Sequence, residues 1–68
     1  MTFTLNGEVR LLSHPQAISA VVGTELGSEA PKGVAVAVNG EVVRRALWGA
    51  MLVQEGDAVE IVRATQGG

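Results

Sequence analysis

The sequence contains no cysteine, a single tryptophan and a single histidine in 68 residues. Without cysteine there can be no disulfide, no thiolate metal site, and no thioester or persulfide carried on a side chain. Any sulfur that the chain handles must be attached elsewhere. No apolar run approaches the roughly 18 residues of a membrane span, and the N-terminal stretch Met1-Thr2-Phe3-Thr4-Leu5 alternates instead of placing a charged region before an apolar one. A cytoplasmic protein with no membrane partner is expected. Five Lys and Arg stand against seven Asp and Glu, for a net charge of −2, and neither sign forms a block. That pattern argues against nucleic acid as a partner. A chain of this length makes one domain and buries only about 60% of the surface its unfolded form would expose, so a small core and modest stability follow.

What is present is regular patterning between turn signals. Phe3 and Leu5 alternate with Thr2 and Thr4, Asn6-Gly7 intervenes, and Glu8 to Leu11 resume the alternation. Asn and Gly tolerate the positive φ angles of a type I′ turn, so this reads as a β-hairpin. Ser13-His14-Pro15-Gln16 has the form of a capping box and predicts a helix starting there. Ile18, Val21, Val22 and Leu26 then recur on one helical face, with a stop near Gly27. After the polar loop 28–33, Val34, Val36 and Val38 alternate with Ala35 and Ala37. Asn39-Gly40 turns the chain into the short edge strand Glu41-Val42-Val43, and the final strand runs from Ala58 to Ala64 after the turn Glu55-Gly56-Asp57. The stretch from Arg44 to Trp48 has room for one helical turn.

Two strands, one helix and two or three further strands give the order of an α+β, ubiquitin-like β-grasp fold, a mixed four- to five-stranded sheet packed on one helix. The helix supplies the crossover that lets the first and last strands pair in parallel. The expected core is Met1, Phe3, Leu5, Val9, Leu11, Ile18, Val21, Val22, Leu26, Val34, Val36, Val38, Leu52, Val59 and Ile61. The expected domain spans residues 1–64, followed by a flexible tail, 65–68.

Side-chain chemistry is scarce. His14 stands alone beside a helix start, Glu55 and Asp57 flank a turn glycine, and no glycine-rich phosphate loop separates a strand from a helix. No catalytic residue, bound cofactor or metal is expected. Trp48 reads as core or rim packing, and Arg44-Arg45 as a solvated turn. There remains the end of the chain, Thr65-Gln66-Gly67-Gly68. Glycine lacks Cβ and can enter a channel too narrow for side chains, and four extended residues reach about 13–14 Å. The Gly68 carboxylate, with a reference pKa near 3.3–3.7, is ionised at neutral pH. It can attack the α-phosphate of ATP, and the acyl-adenylate can be converted by sulfur transfer to a thiocarboxylate. Thr65, Gln66 and Gly67 would then be the arm that delivers Gly68 to a partner's active site.

From Gly33 to Gly68 the sequence resembles the ThiS/MoaD family of sulfur carriers, and its ThiS branch most. The residues that carry the likeness are Val36-Ala37-Val38-Asn39-Gly40-Glu41-Val42-Val43, Arg44, Trp48, Glu55-Gly56-Asp57, Val59-Glu60-Ile61-Val62 and Gln66-Gly67-Gly68. The N-terminal half is similar only in element order, and Val43 stands where ThiS-type proteins often have Pro. The resemblance implies a role in making the thiazole of thiamine. A ubiquitin-activating-type adenylyltransferase would adenylate Gly68 with ATP, a sulfur donor system would form the thiocarboxylate, and thiazole synthase would receive the sulfur. The chain would be a protein cosubstrate, monomeric when alone. The alternatives are a carrier for molybdopterin synthesis, as in MoaD-type proteins, and a ubiquitin-like protein modifier. Strand alternation adds one expectation. If Val34, Val36, Val38, Val59 and Ile61 face the helix, then Ala35, Ala37, Glu60, Val62 and Ala64 face outward and form a small docking patch leading to the tail.

Overall fold

Two Asn-Gly turns organise the sheet. In the structure, a computed structural model that describes residues 1–28 and 31–63, β1 (Thr2–Leu5) and β2 (Glu8–Leu11) form the first hairpin, and β4 (Val34–Val38) and β5 (Glu41–Val43) the second. Between the hairpins lie β3 (Gln16–Ala17) and α1 (Ile18–Leu26). One turn of 3-10 helix (Arg45–Leu47), β6 (Leu52–Val53) and β7 (Ala58–Arg63) follow. At both turns Asn and Gly have positive φ: 51° and 86° at Asn6 and Gly7, 53° and 87° at Asn39 and Gly40. That is the type I′ geometry whose twist matches the strands it joins.

The main sheet has the order β2-β1-β7-β4-β5. β7 runs parallel to β1 and antiparallel to β4, which completes the mixed β-grasp sheet that the element order predicts. Ile18, Val21 and Val22 of α1 pack on Phe3, Leu5, Val34, Val36, Val38, Val59 and Ile61. Gly27 ends the helix with φ 82°, its N–H donating to the Gly23 carbonyl at 2.8 Å, a left-handed stop that costs glycine no Cβ clash.

The helix starts later than the capping-box reading places it. Gln16 and Ala17 are extended and pair with Val53 and Leu52 as a separate two-stranded ribbon. Ala17 is the N-cap and makes no side-chain cap. The first helical donors are satisfied from elsewhere in the fold, Ile18 N–H by the Met51 carbonyl at 2.9 Å and Ser19 N–H by the Trp48 carbonyl at 3.0 Å. These long-range acceptors fill the role that a local side chain fills in most helices. Ser13 Oγ instead sits 2.9 Å from Nδ1 of the exposed His14.

The core also differs from the expected set. Val9 and Leu11 are 70% and 80% exposed. A two-residue turn pairs Leu5 with Glu8 and Phe3 with Arg10, and directly opposed residues share a face. With Phe3 and Leu5 inside, Val9 and Leu11 must point outward. Leu52 is exposed, whereas its neighbour Val53 is buried. Met1 and Leu26 are only partly buried. Val43, Trp48 and Val53 complete the core in their place.

Arg10, on the helix side of β2, forms ion pairs with Glu25 of α1 at 2.9 Å and with Glu8 at 3.2 Å. Its hydrogen bonds to Glu25 and then Glu8 raise its pKa. At the start of β1, Glu55 accepts from the Thr2 N–H at 2.7 Å and the Thr2 hydroxyl at 3.1 Å. Those bonds hold its carboxyl below the ordinary carboxylate range. A carboxyl lowered in the folded state stabilises above its unfolded pKa, about 4.3 for Glu, and that contribution is lost as pH falls through the lower folded value. Wild type is therefore expected to lose more stability than Glu55→Gln between about pH 6 and about pH 3. Urea midpoints at both pH values check this, and parallel losses in the two proteins would refute it.

Candidate functional site

β7 is the last described strand, and its anchoring is the geometry that bears on the expected site. Both turn asparagines bind this strand. Asn6 Oδ1 accepts from the Ile61 N–H at 2.9 Å, and the Asn6 N–H donates to the Val59 carbonyl at 2.9 Å. Asn39 Oδ1 accepts from the Ala58 N–H at 2.9 Å, and the Asn39 N–H donates to the Ala58 carbonyl at 2.8 Å. Asp57, just before β7, accepts from Asn39 Nδ2 at 3.1 Å and from the Gln54 N–H at 2.8 Å. Asp57 and Glu55 are thus occupied as turn and strand clamps. β7 is held by its two flanking strands and by these clamps.

Val59 and Ile61 of β7 face the core, and Glu60 and Val62 are exposed. The β4–β7 register pairs Ala35 with Val62 and Ala37 with Glu60, and the β4–β5 register pairs Ala37 with Val42. Ala35, Ala37, Glu60, Val62 and Val42 therefore lie together on the outer sheet face. Val62 is 57% and Val42 75% exposed. Val42 is absent from the outward set read from sequence, although pairing across the Asn39-Gly40 turn is enough to place it there. Ala64, Thr65, Gln66, Gly67 and Gly68, with the expected domain boundary at residue 64, lie outside the described residues.

The adjacent arginines differ. Arg45 lies 4.5 Å from the centroid of the Trp48 ring and donates to the Pro31 carbonyl at 2.7 Å and the Val34 carbonyl at 3.3 Å. It clamps the loop to the sheet while remaining exposed, as a turn arginine should. Trp48 is buried and donates its indole N–H to the Val43 carbonyl at 3.0 Å. Arg44 is exposed.

Among the described residues, no three His, Cys, Asp or Glu side chains gather as a metal site, and no helix is long and apolar enough to cross a membrane. An open groove of about 600 Å³ runs along α1 between His14 and Ser28, floored by Ala17, Ala20 and Gly23.

The ThiS family matches residues 3–68. The chain belongs to the ThiS family. The crystal structure of the thiamine biosynthesis protein ThiS from Geobacter metallireducens is 30% identical over 100% of both chains, with a TM-score of 0.81. A solution NMR structure of a thiamine biosynthesis protein from Geobacter metallireducens is also 30% identical, over 100% of this chain and 88% of that one, with a TM-score of 0.78. None of the curated proteins matches. Similarity over the whole length places this ThiS-family chain in the ubiquitin-like β-grasp fold and includes the N-terminal hairpin, where sequence reading finds likeness only in element order.

Proposed function

We propose that this chain is a sulfur carrier of thiamine biosynthesis, working in the cytoplasm as a protein cosubstrate and not as an enzyme. The observation that carries the reading is the ThiS-family match, which runs through Gly67-Gly68 to residue 68. A carboxylate oxygen of Gly68 attacks the α-phosphorus of ATP in a ubiquitin-activating-type adenylyltransferase, and pyrophosphate leaves. A sulfide equivalent from a sulfur donor system then adds to the acyl carbon and displaces AMP, which leaves a thiocarboxylate. Thiazole synthase takes the sulfur, and an oxygen from water or from the sulfur acceptor replaces it at the acyl carbon, which returns Gly68 to a carboxylate. Thr65, Gln66 and Gly67 serve as the delivery arm, and ATP is consumed by the partner.

Intact mass tests this. Incubation with ATP, the activating enzyme and a sulfide source is expected to raise the mass by the difference between one sulfur and one oxygen. A ladder of larger conjugates would indicate a protein modifier instead, and an unchanged mass would overturn the carrier reading.

Recognition is assigned to the outer sheet face, where Ala35, Ala37, Glu60 and Val62 form a small apolar patch with one charge and Ala64 follows in sequence. Small side chains let a partner approach closely, and the patch is too modest to be a sticky surface. Val62→Asp, at an exposed position, is expected to raise the activating enzyme's KM for the carrier about tenfold, equivalent to about 1.4 kcal/mol. An unchanged KM would remove the patch from the interface.

A further inference from the structure

The five cations of this chain are scattered through its sequence, but the fold sorts them. Arg10 is taken up by Glu8 and Glu25, and it makes both ion pairs found among the described residues. The other four converge on one end of the sheet. Arg63 is the last residue of β7 and lies opposite Val34, the first residue of β4. Lys32 precedes Val34 by two residues. Arg45 reaches the Pro31 and Val34 carbonyls. Arg44 continues β5 with extended backbone angles, φ −62° and ψ 141°. Carrying the β4–β5 register one residue beyond Val36↔Val43 sets Arg44 opposite Ala35, in one row with Val62 on the outer face.

The opposite end of the sheet is acidic. Glu55 and Asp57 immediately precede β7, and Glu41 pairs with Val38, which itself pairs with Val59 near the start of β7. A strand of this length spans about 17–20 Å, roughly twice the Debye length of about 8–10 Å at physiological salt. The two ends therefore act as separate charges despite a net charge of only −2. All four are exposed, but Arg45 is committed to carbonyls and the Trp48 ring, so the collar is taken as Lys32, Arg44 and Arg63.

We propose that Lys32, Arg44 and Arg63 form a cationic collar at the end of the sheet from which β7 exits, and that it steers this end onto an acidic protein surface around the tail-binding channel of the activating enzyme. This deepens the carrier reading and rests on it. A polarised molecule presents its cationic end first to an acidic rim, which raises the rate of productive encounter and suppresses reversed docking. Among the described residues, Glu60 and Glu41 set the limits of the collar: the first lies one outward row back from Val62 along β7, and the second lies at the far end. Nucleic acid is disfavoured as the occupant because the apolar patch beside the collar carries an acid and no aromatic stacking residue.

The test is the rate of carrier adenylation by the activating enzyme, measured with wild type and with Lys32→Glu/Arg44→Glu/Arg63→Glu at about 50 and about 300 mM salt. The wild-type kcat/KM for the carrier is expected to fall several-fold as salt rises. The triple variant is expected to lose about tenfold or more at low salt, with kcat unchanged and its salt dependence abolished or reversed. Arg44→Glu and Arg63→Glu singly should each show part of the loss, and circular dichroism will confirm that they fold. Glu41→Lys, at the other end, should stay within about twofold of wild type. Equal kcat/KM and equal salt slopes for wild type and triple variant would overturn the collar while leaving adenylation intact. A raised KM for ATP with an unchanged KM for the carrier would also overturn it, by assigning the anion to the nucleotide phosphates. Absence of adenylation in the wild type would instead strike the carrier reading itself.

Discussion

Deleting Gly68 is expected to abolish sulfur loading while leaving the fold untouched. Removal of one residue leaves a carboxylate on Gly67, so the chemical group survives but stands about 3.3–3.6 Å short. Attack on the α-phosphorus needs the reacting atoms within about 3–3.5 Å, and a misplacement of about 1 Å can cost about 10²-fold. The truncated arm therefore falls out of reach, and the mass increase seen with full-length chain should disappear. No core residue of the described structure lies beyond Ile61, and the clamps on β7 come from Asn6, Asn39 and the neighbouring strands. The urea midpoint should accordingly stay where it is. Loading of the truncated chain at the wild-type rate would show that Gly68 is not the reactive residue. A large loss of stability would show that the last residues belong to the folded core.

The second large effect is expected at Trp48, where the risk is to folding. Its side chain is 3% exposed, its indole N–H donates to the Val43 carbonyl, and Arg45 covers its ring. The Trp48 carbonyl also accepts the Ser19 N–H that opens α1. One residue thus joins β5, the 3-10 turn and the helix start. Trp→Ala in a core costs about 3–5 kcal/mol, and a single core in a domain below about 70–80 residues rarely supplies more than about 3–5 kcal/mol in total. Trp48→Ala should therefore leave much of the chain unfolded at room temperature, seen as collapsed amide dispersion and lost circular dichroism. Trp48→Phe retains most of the packing but strands the Val43 carbonyl, at a cost of about 1–3 kcal/mol. It should fold with a lower urea midpoint. Wild-type stability in both variants would mean that the core does not depend on this contact.

Strand alternation and turn chemistry made much of this architecture legible. Val34, Val36 and Val38 alternate with alanines, and Val59 and Ile61 alternate with Glu60 and Val62, so the two faces of the central strands follow from period two. The Asn-Gly turns also held information that a list of apolar residues overlooks. A two-residue hairpin pairs Leu5 with Glu8, which already puts Val9 and Leu11 outside. Leu52 and Val53 were not separable in this way, because a two-residue strand has too few positions to show a period. The helix start was hidden for a related reason. Ser13 and Gln16 have the right spacing for a capping box, but the acceptors actually used belong to Met51 and Trp48, more than 25 residues downstream.

By itself the sequence determined the hairpins, the helix stop at Gly27 and the two faces of β4 and β7. These are local matters, set by φ preference, by side-chain period and by which residue types are present. Tertiary structure alone decided that Val43 and Val53 join Trp48 in closing the core, that Arg45 clamps a loop, and that Lys32, Arg44 and Arg63 meet at one end of the sheet. The physical reason is that strand register brings together residues far apart in sequence, such as Leu5 and Val59 or Val34 and Arg63, and neither burial nor the electric field at a surface can be summed until those neighbours are known.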